Sequence, residues 1–163
     1  QVVYRLSNIL RRLLRKTDNF ALLREELAFI DDYLSIEMAR FGHKLRVVKD
    51  IDERTLDCQV PAMLLQPLVE NSIRHGLAHK IDGGEVRIQS RIEEGPRGRR
   101  LVLTVADDGV GMEEERLRSI LDQAGIGVSN VNERLQVLFG ANYGLSITSQ
   151  KGEGTRTVIE LPV

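Results

Sequence analysis

The chain of 163 residues is 42% apolar and 29% charged, enough for one packed, soluble domain with a short appendage. A formal net charge of −1 excludes a general nucleic-acid binder, which needs a basic excess to neutralise phosphates, and four Phe, three Tyr and no Trp offer no base-stacking platform. The lone Cys58 cannot close an intrachain disulfide, which suits a reducing cytoplasm; no apolar run approaches the roughly 20 residues of a membrane span, and no signal peptide is visible. Because Gln1 already stands inside a helical pattern, the chain is expected to be a piece of something longer.

Residues 1–16 hold Arg5, Arg11, Arg12, Arg15 and Lys16 and no acid, while Val2, Leu6, Ile9, Leu10, Leu13 and Leu14 recur at helical spacing. This basic amphipathic helix would pack on a partner helix or lie on an anionic membrane surface; the blander alternative is a packing helix with a solvated positive face. Thr17, Asp18 and Asn19 supply a break and a cap. A longer helix follows over 20–41, with Leu23, Leu27, Ile30, Leu34, Met38 and Phe41 on one stripe and Gly42 ending it. The expected boundary falls there, between a helical arm of residues 1–41 and a compact domain of residues 42–163.

In that domain 45–51 reads as a strand. Pro61 is placed to start a helix, and Pro67 would kink one, so a first turn is expected at 61–65 and the main helix through Gly76. Residues 85–92 and 99–106 form a hairpin around Gly95-Pro96-Arg97-Gly98, with Val86, Ile88 and Ser90 on one face and Arg87, Gln89 and Arg91 on the other. Helices are expected at 113–122 and 128–138, and a closing strand pair at 143–149 and 155–161. The fold class that follows is α+β, with helices layered on one face of a mixed sheet.

Four segments carry candidate chemistry. In Leu65-Gln66-Pro67-Leu68-Val69-Glu70-Asn71-Ser72-Ile73-Arg74-His75-Gly76, helical spacing puts Asn71 and His75 on one face with Arg74 nearby. An amide oxygen and a carboxylate suit Mg²⁺, a guanidinium neutralises phosphate, and an imidazole can pack beside a base or ribose. By itself this segment reads equally as a solvated polar face. Asp107-Asp108-Gly109-Val110-Gly111 follows the strand bearing Leu101, Leu103 and Val105, so Asp107 would point into a pocket. A carboxylate there can accept the exocyclic amine of adenine, and Gly109 and Gly111 permit positive φ and close approach of a ligand. The alternative is a tight Asp/Gly turn; a calcium loop lacks its later ligands. Gly125-Ile126-Gly127 opens a helix whose N-terminus would seat phosphates, leaving 112–124 as a lid. Gly152-Glu153-Gly154-Thr155 joins the last two strands, either as a plain hairpin turn or with Thr155 bonding near adenine. No Walker loop, dinucleotide fingerprint, zinc cluster or nucleophile elbow is present.

Together, in this order, the four segments resemble the N box and three G boxes of the GHKL ATPase superfamily, which includes gyrase, MutL, certain chaperones and sensor histidine kinases. Leu65–Asn71 with Arg74-His75-Gly76, Leu23-Arg24-Glu25-Glu26-Leu27, Tyr33-Leu34, Arg40-Phe41-Gly42 and Gly127–Leu135 are similar to the LytS/YpdA-type sensor histidine kinases. The likeness runs from about residue 20 to the end. It implies a two-layer α/β sandwich of the Bergerat type binding ATP with Mg²⁺: Asn71 would hold the metal, Arg74 touch phosphate, His75 line the nucleotide and Asp107 read adenine, with Gly109, Gly111, Gly125, Gly127 and Thr155 around it. Glu70 is the candidate for polarising the acceptor or a metal-bound water. Where many histidine kinases have a second Asn, four residues before the first, this chain has Pro67, as its subfamily does.

The resemblance further implies γ-phosphoryl transfer to a His upstream of Gln1. His43, His75 and His79 lack the phosphoacceptor's sequence context, so this piece is expected to bind ATP but not to phosphorylate itself on the usual His. The implied partners are the upstream dimerisation and phosphoacceptor segment, a response regulator and a second copy in the full-length protein, with no nucleic acid. The implied location is the cytoplasmic part of a membrane-anchored sensor. An anti-sigma-type Ser/Thr kinase and a non-catalytic nucleotide-binding interaction module share the boxes; a gyrase- or MutL-type ATPase would need a further transducer domain.

Overall fold

The computed structural model describes residues 20–96, 98–122 and 127–163. The basic helix expected over 1–16, its break at 17–19, and Gly125 lie outside the described residues. In chain order the elements are β1 (Phe20–Leu22), α1 (Leu23–Phe41), β2 (Leu45–Ile51), β3 (Gln59–Pro61), α2 (Gln66–Asn71) running into a π turn (Ser72–Leu77), β4 (Gly84–Gly95), β5 (Gly98–Asp107), α3 (Glu114–Asp122), α4 (Gly127–Phe139), β6 (Gly144–Gln150) and β7 (Gly154–Pro162).

Five strands form one sheet in the order β2-β4-β5-β7-β6. β2 runs parallel to β4, and every other neighbour pair is antiparallel. The sheet is therefore mixed, as the α+β two-layer reading requires, with the β2-to-β4 crossover carrying β3, α2 and the π turn. Period-two alternation sets its buried face: Val86, Ile88 and Ser90 are buried in β4, and Leu101, Leu103 and Val105 in β5. The same phase carries Asp107, the last residue of β5, onto the inward face.

The β5–β7 register makes a graded ladder. Leu101 faces Leu161, Leu103 faces Ile159, Val105 faces Thr157 and Asp107 faces Thr155. The pair is thus apolar at one end and polar at the other, and the polar end is where a site can open.

The helical layer covers this face. α1 buries Leu23, Leu27, Phe29, Ile30 and Leu34 in the same hydrophobic cluster as the sheet. Of the apolar stripe expected to run on to residue 41, the residues through Leu34 are fully buried, Met38 is exposed and Phe41 packs half-buried against the cluster. Gly42 ends α1 at φ +62, its N–H donating to the Met38 carbonyl.

Two local expectations are corrected. Residues 20–22 are not helix: they pair antiparallel with Gln59–Pro61, and α1 starts at Leu23, where the Glu25 carboxylate accepts from the Leu22 N–H at 3.0 Å. This tertiary pairing overrides a helical pattern that three residues cannot enforce. The roles expected of the two prolines are also corrected. Pro61 ends strand β3, and Pro67 sits in the first turn of α2, where a missing N–H costs nothing and no kink is needed. After Asn71 the helix widens; the Ala78 N–H donates to the Ile73 carbonyl at 2.9 Å, five residues back.

Candidate functional site

At the polar end of the β5–β7 ladder lies a cavity of about 440 Å³. Its walls come from three directions. The α2–π helix supplies Leu68, Asn71, Ser72, His75, Gly76 and His79, the spacing of one helical face. The sheet supplies Asp107, Ile147, Thr155 and Thr157, and α3 with the segment before it supplies Met112, Arg116, Ser119 and Ile120. Val110 and Gly111, in the segment after β5, and Val128, in the first turn of α4, complete the lining.

Asp107 is 8% exposed. Its Oδ1 accepts from the Gly109 N–H at 3.0 Å, and the Ser72 hydroxyl and Thr155 N–H also donate to its carboxylate. Burial pushes its pKa up, while these three hydrogen bonds pull it down and the neighbouring Asp108 charge pushes it up again. The result is a fixed acceptor at the cavity floor. Thr155 is held in turn, its hydroxyl 2.8 Å from that of Ser149.

The adjacent acid is used differently. Asp108 Oδ1 accepts from the Glu85 N–H at 2.7 Å, and its carbonyl accepts from Lys80 Nζ at 2.7 Å, which ties the end of β5 to the start of β4.

Two glycines have a steric explanation. A Cβ at Gly76 would stand 2.6 Å from Asp107 Oδ1, so only glycine lets the helix approach the carboxylate. Gly111 has φ +63, and a Cβ there would meet the Gln150 carbonyl at 1.9 Å. Gly109, by contrast, needs no positive φ; it packs on the Gly76 backbone, and the Val110 N–H donates to the Gly76 carbonyl at 3.0 Å. The close approach expected of a ligand at Gly109 is made by the protein's own helix. The last glycine segment locks to the first: the Gly152 N–H donates to the Val110 carbonyl at 2.7 Å.

His75 opens on the cavity with its pKa lowered, first by burial and then by the charges of Arg74, Arg116 and His79, so a neutral imidazole is presented at pH 7. Gly127 begins α4.

Glu70 and Arg74 are not among the cavity's lining residues. They lie a quarter-turn away, towards α1. Glu70 accepts from Gln66 Nε2 at 2.8 Å. The Tyr33 hydroxyl is pushed up to about 12 by burial and by the charges of Glu37 and Glu70, with Arg74 and Arg40 opposing.

Sequence reasoning missed Ser72, Gly76 and Arg116 as site-forming residues. Ser72 and Gly76 were within reach, because they lie one residue from Asn71 and His75 on the same face. Arg116 carried the weaker signal of a basic residue at i, i+4 from Met112 and Ile120.

The donor set fits a purine nucleotide: a buried carboxylate beside a threonine hydroxyl at the floor, apolar walls from Ile120, Val128 and Ile147, and a rim with Asn71, His75 and Arg116. It does not make a metal cage; among the described residues no group of three or more His, Cys, Asp or Glu could hold an ion. A single amide such as Asn71 fits a hydrated divalent cation carried by phosphates.

Comparison with known proteins identifies the class. Residues 57–163 match the family model described as histidine kinase-, DNA gyrase B- and HSP90-like ATPase, and residues 1–45 match one described as histidine kinase. The chain belongs to this ATPase family, whose fold and ATP-type site it carries. Among relatives, the sensor histidine kinase BtsS of Escherichia coli is 35% identical over 162 residues, covering 99% of this chain and 27% of that protein. Sensor histidine kinase YesM of Bacillus subtilis is 34% identical over 162 residues, with the same two coverages. Sensor protein LytS of Bacillus cereus is 37% identical over 147 residues, covering 86% of this chain and 24% of that protein. The chain thus spans about a quarter of the length of these relatives. In fold, the histidine kinase domain of an Erythrobacter litoralis blue-light activated kinase superposes with a TM-score of 0.65 at 21% identity, covering 99% of this chain and 75% of that one. The catalytic domain of histidine kinase ThkA superposes with a TM-score of 0.64 at 17% identity, covering 88% and 93%.

Proposed function

We propose that this chain is the ATP-binding catalytic part of a two-component sensor histidine kinase, transferring the γ-phosphoryl group of ATP to a His upstream of Gln1. The observation that carries the reading is the buried Asp107 at the end of β5, hydrogen-bonded on three sides and turned to a cavity of about 440 Å³. Asp107 and Thr155 would take the adenine amine and fix the base. His75, neutral, would line the nucleotide, and Gly109, Gly111, Gly125 and Gly127 would shape the phosphate end. Arg116, which no carboxylate pairs among the described residues, would add positive charge over the phosphates. Asn71 would hold Mg²⁺, which when bound neutralises phosphate charge.

Glu70 and Arg74, on the α1 side of the same helix, would meet the incoming acceptor. Glu70 would hold the imidazole's proton and Arg74 would balance its charge. Residues 1–41 would then be the end of the dimerisation and linker region and 42–163 the catalytic domain. The two family matches, ending at 45 and starting at 57, favour that division, although α1 is buried in the shared core.

The partners proposed are a response regulator and a second copy in the full-length protein. Histidine kinase ThkA has been solved in complex with the response regulator TrrA. No helix among the described residues is long and apolar enough to cross a membrane, and a cytoplasmic position behind a membrane anchor is proposed from the relatives' description as sensors.

The test is phosphotransfer in trans. The chain is mixed with labelled ATP, Mg²⁺ and a fragment bearing the upstream acceptor segment. Label that is acid-labile and base-stable on that fragment is the expected outcome. Acid-stable label would instead indicate a Ser/Thr kinase, and binding without transfer an interaction module.

A further inference from the structure

Helix α2 begins without a cap of its own. Its N-terminal flank is Met63-Leu64-Leu65, which carries no side-chain oxygen to serve as a cap, and Leu65 makes no side-chain cap. The N–H groups leading into the helix are satisfied from another element. The Glu26 carboxylate, in the first turn of α1 and 4% exposed, accepts from Met63 N at 2.7 Å, Leu64 N at 3.1 Å and Leu65 N at 3.5 Å. Met63 is the one non-glycine among the described residues with positive φ, at +60, a conformation that persists only where its surroundings hold it.

The same turn is gripped from the opposite side. Arg134 Nη1, on α4, donates to the Ala62 carbonyl at 2.6 Å. The start of α1 is itself bolted to the chain just before the turn. Phe20–Leu22 pairs with Gln59–Pro61, Leu23 N donates to the Cys58 carbonyl at 2.9 Å, and Arg24 N donates to the Leu56 carbonyl at 3.0 Å. A displacement of α1 is therefore delivered to residues 56–65 as one body. Asn71 stands six residues past Leu65, roughly 9 Å along the axis of a stiff helix.

We propose that Glu26 is a positioning residue for the phosphate and metal end of the site: by holding the turn into α2 from α1 it sets where Asn71 stands, and it makes that position depend on where α1 lies. Arg134 gives α4, and so the chain after Gly127, a hold on the same turn. The proposal rests on the reading of Asn71 as the residue that meets metal and phosphate. Asp107 is carried by the sheet, and of its three donors only the Ser72 hydroxyl rides on this helix, so the adenine end answers to the linkage less than the phosphate end does.

The experiment is calorimetric titration of ATP with Mg²⁺, and of adenosine, into wild type and Glu26→Gln at a temperature where circular dichroism shows both folded. ATP–Mg²⁺ affinity is expected to fall about tenfold and adenosine affinity to change by less than about twofold. An equal loss for both ligands, or a loss for neither, overturns the proposal, because a clamp that only stabilises the fold has no means of separating them. Should Glu26→Gln fail to fold, Arg134→Gln, which releases Ala62 from the other side, carries the same expectation and the same refutation. Asn71→Ala keeps the two readings apart. If this variant still gains as much ATP affinity from Mg²⁺ as wild type does, the metal assignment is wrong. The positioning role is then judged on the Asn71 side-chain amide resonances of the nucleotide-free protein, which Glu26→Gln must shift for the proposal to stand.

Discussion

Asp107 and Glu26 are both buried carboxylates, 8% and 4% exposed, and both accept backbone N–H groups, yet only Asp107 faces open space. Glu26 sits in the closed core with its oxygens turned on the entrance to α2. Asp107 has comparable satisfaction from Ser72, Gly109 and Thr155 but stands at the floor of a cavity. A buried acid is costly in either place. In one the carboxylate fixes the backbone of a turn and can reach the site only through it; in the other part of its capacity is left for a ligand, so it meets the function directly.

The largest effect that would break this comparison is on stability. Glu26→Ala removes the acceptor for three N–H groups and is expected to cost about 3 kcal/mol, read from denaturant unfolding, since each orphaned buried group costs on the order of 1–3 kcal/mol. Asp107→Asn should unfold no more easily than wild type. If the two variants lost similar stability, Asp107 would be a structural acid like Glu26.

Next is binding. Asp107→Asn exchanges an acceptor for a donor against the adenine amine and is expected to weaken ATP about a hundredfold by calorimetry, about 2.7 kcal/mol. Unchanged affinity would remove adenine from this carboxylate.

A smaller contrast sharpens the two faces of the helix that carries Asn71. Arg116→Gln is expected to weaken ATP about tenfold, and Arg74→Gln by less than about twofold, in the absence of an acceptor partner. The reverse order would mean that Arg74 swings to the phosphates and that the cavity's rim differs from its nucleotide-free form.

The comparison also shows what a sequence can reveal. Asp107 was legible because strand alternation, a following glycine turn and the ordered boxes all pointed at one residue. The five-stranded sheet was legible for the same reason: Val86, Ile88 and Ser90 against Arg87, Gln89 and Arg91 is a period-two pattern that only one register buries. Glu26 was not legible. In Leu23-Arg24-Glu25-Glu26-Leu27 it reads as one more acid in the first turns of a helix, and its partners lie 37 to 39 residues away. Strand β1 was hidden likewise, because three residues carry no periodicity and their pairing with Gln59–Pro61 is long-range. Pro61 and Pro67 were misread together, since once Pro61 belongs to a strand the helix must start later and Pro67 falls in its first turn. Arg74 and Glu70 were grouped with Asn71 by proximity in sequence, whereas the helix turns them towards α1.

The subtlest prediction concerns pH and separates the two acids without testing activity. Burial raises the pKa of Asp107 above the ordinary carboxylate value near 4. Between those two values the folded protein binds one more proton than the unfolded chain, so this residue's contribution to stability falls as pH rises across that window and is constant above it. Other carboxylates run the opposite way: Arg54 holds Asp52 down at about 2, so its contribution is present at neutral pH and is lost as pH falls towards that value. Total stability against pH therefore mixes signs, but the difference between wild type and Asp107→Asn isolates one of them. That difference should grow in favour of the Asn variant as pH rises through the window and then level off. Saturating ADP adds a hydrogen bond from adenine to the ionised form, which lowers the bound-state pKa and should flatten the wild-type slope. A slope that ADP leaves untouched would mean that the Asp107 carboxylate is buried for the fold's sake alone and that the base binds elsewhere in the cavity.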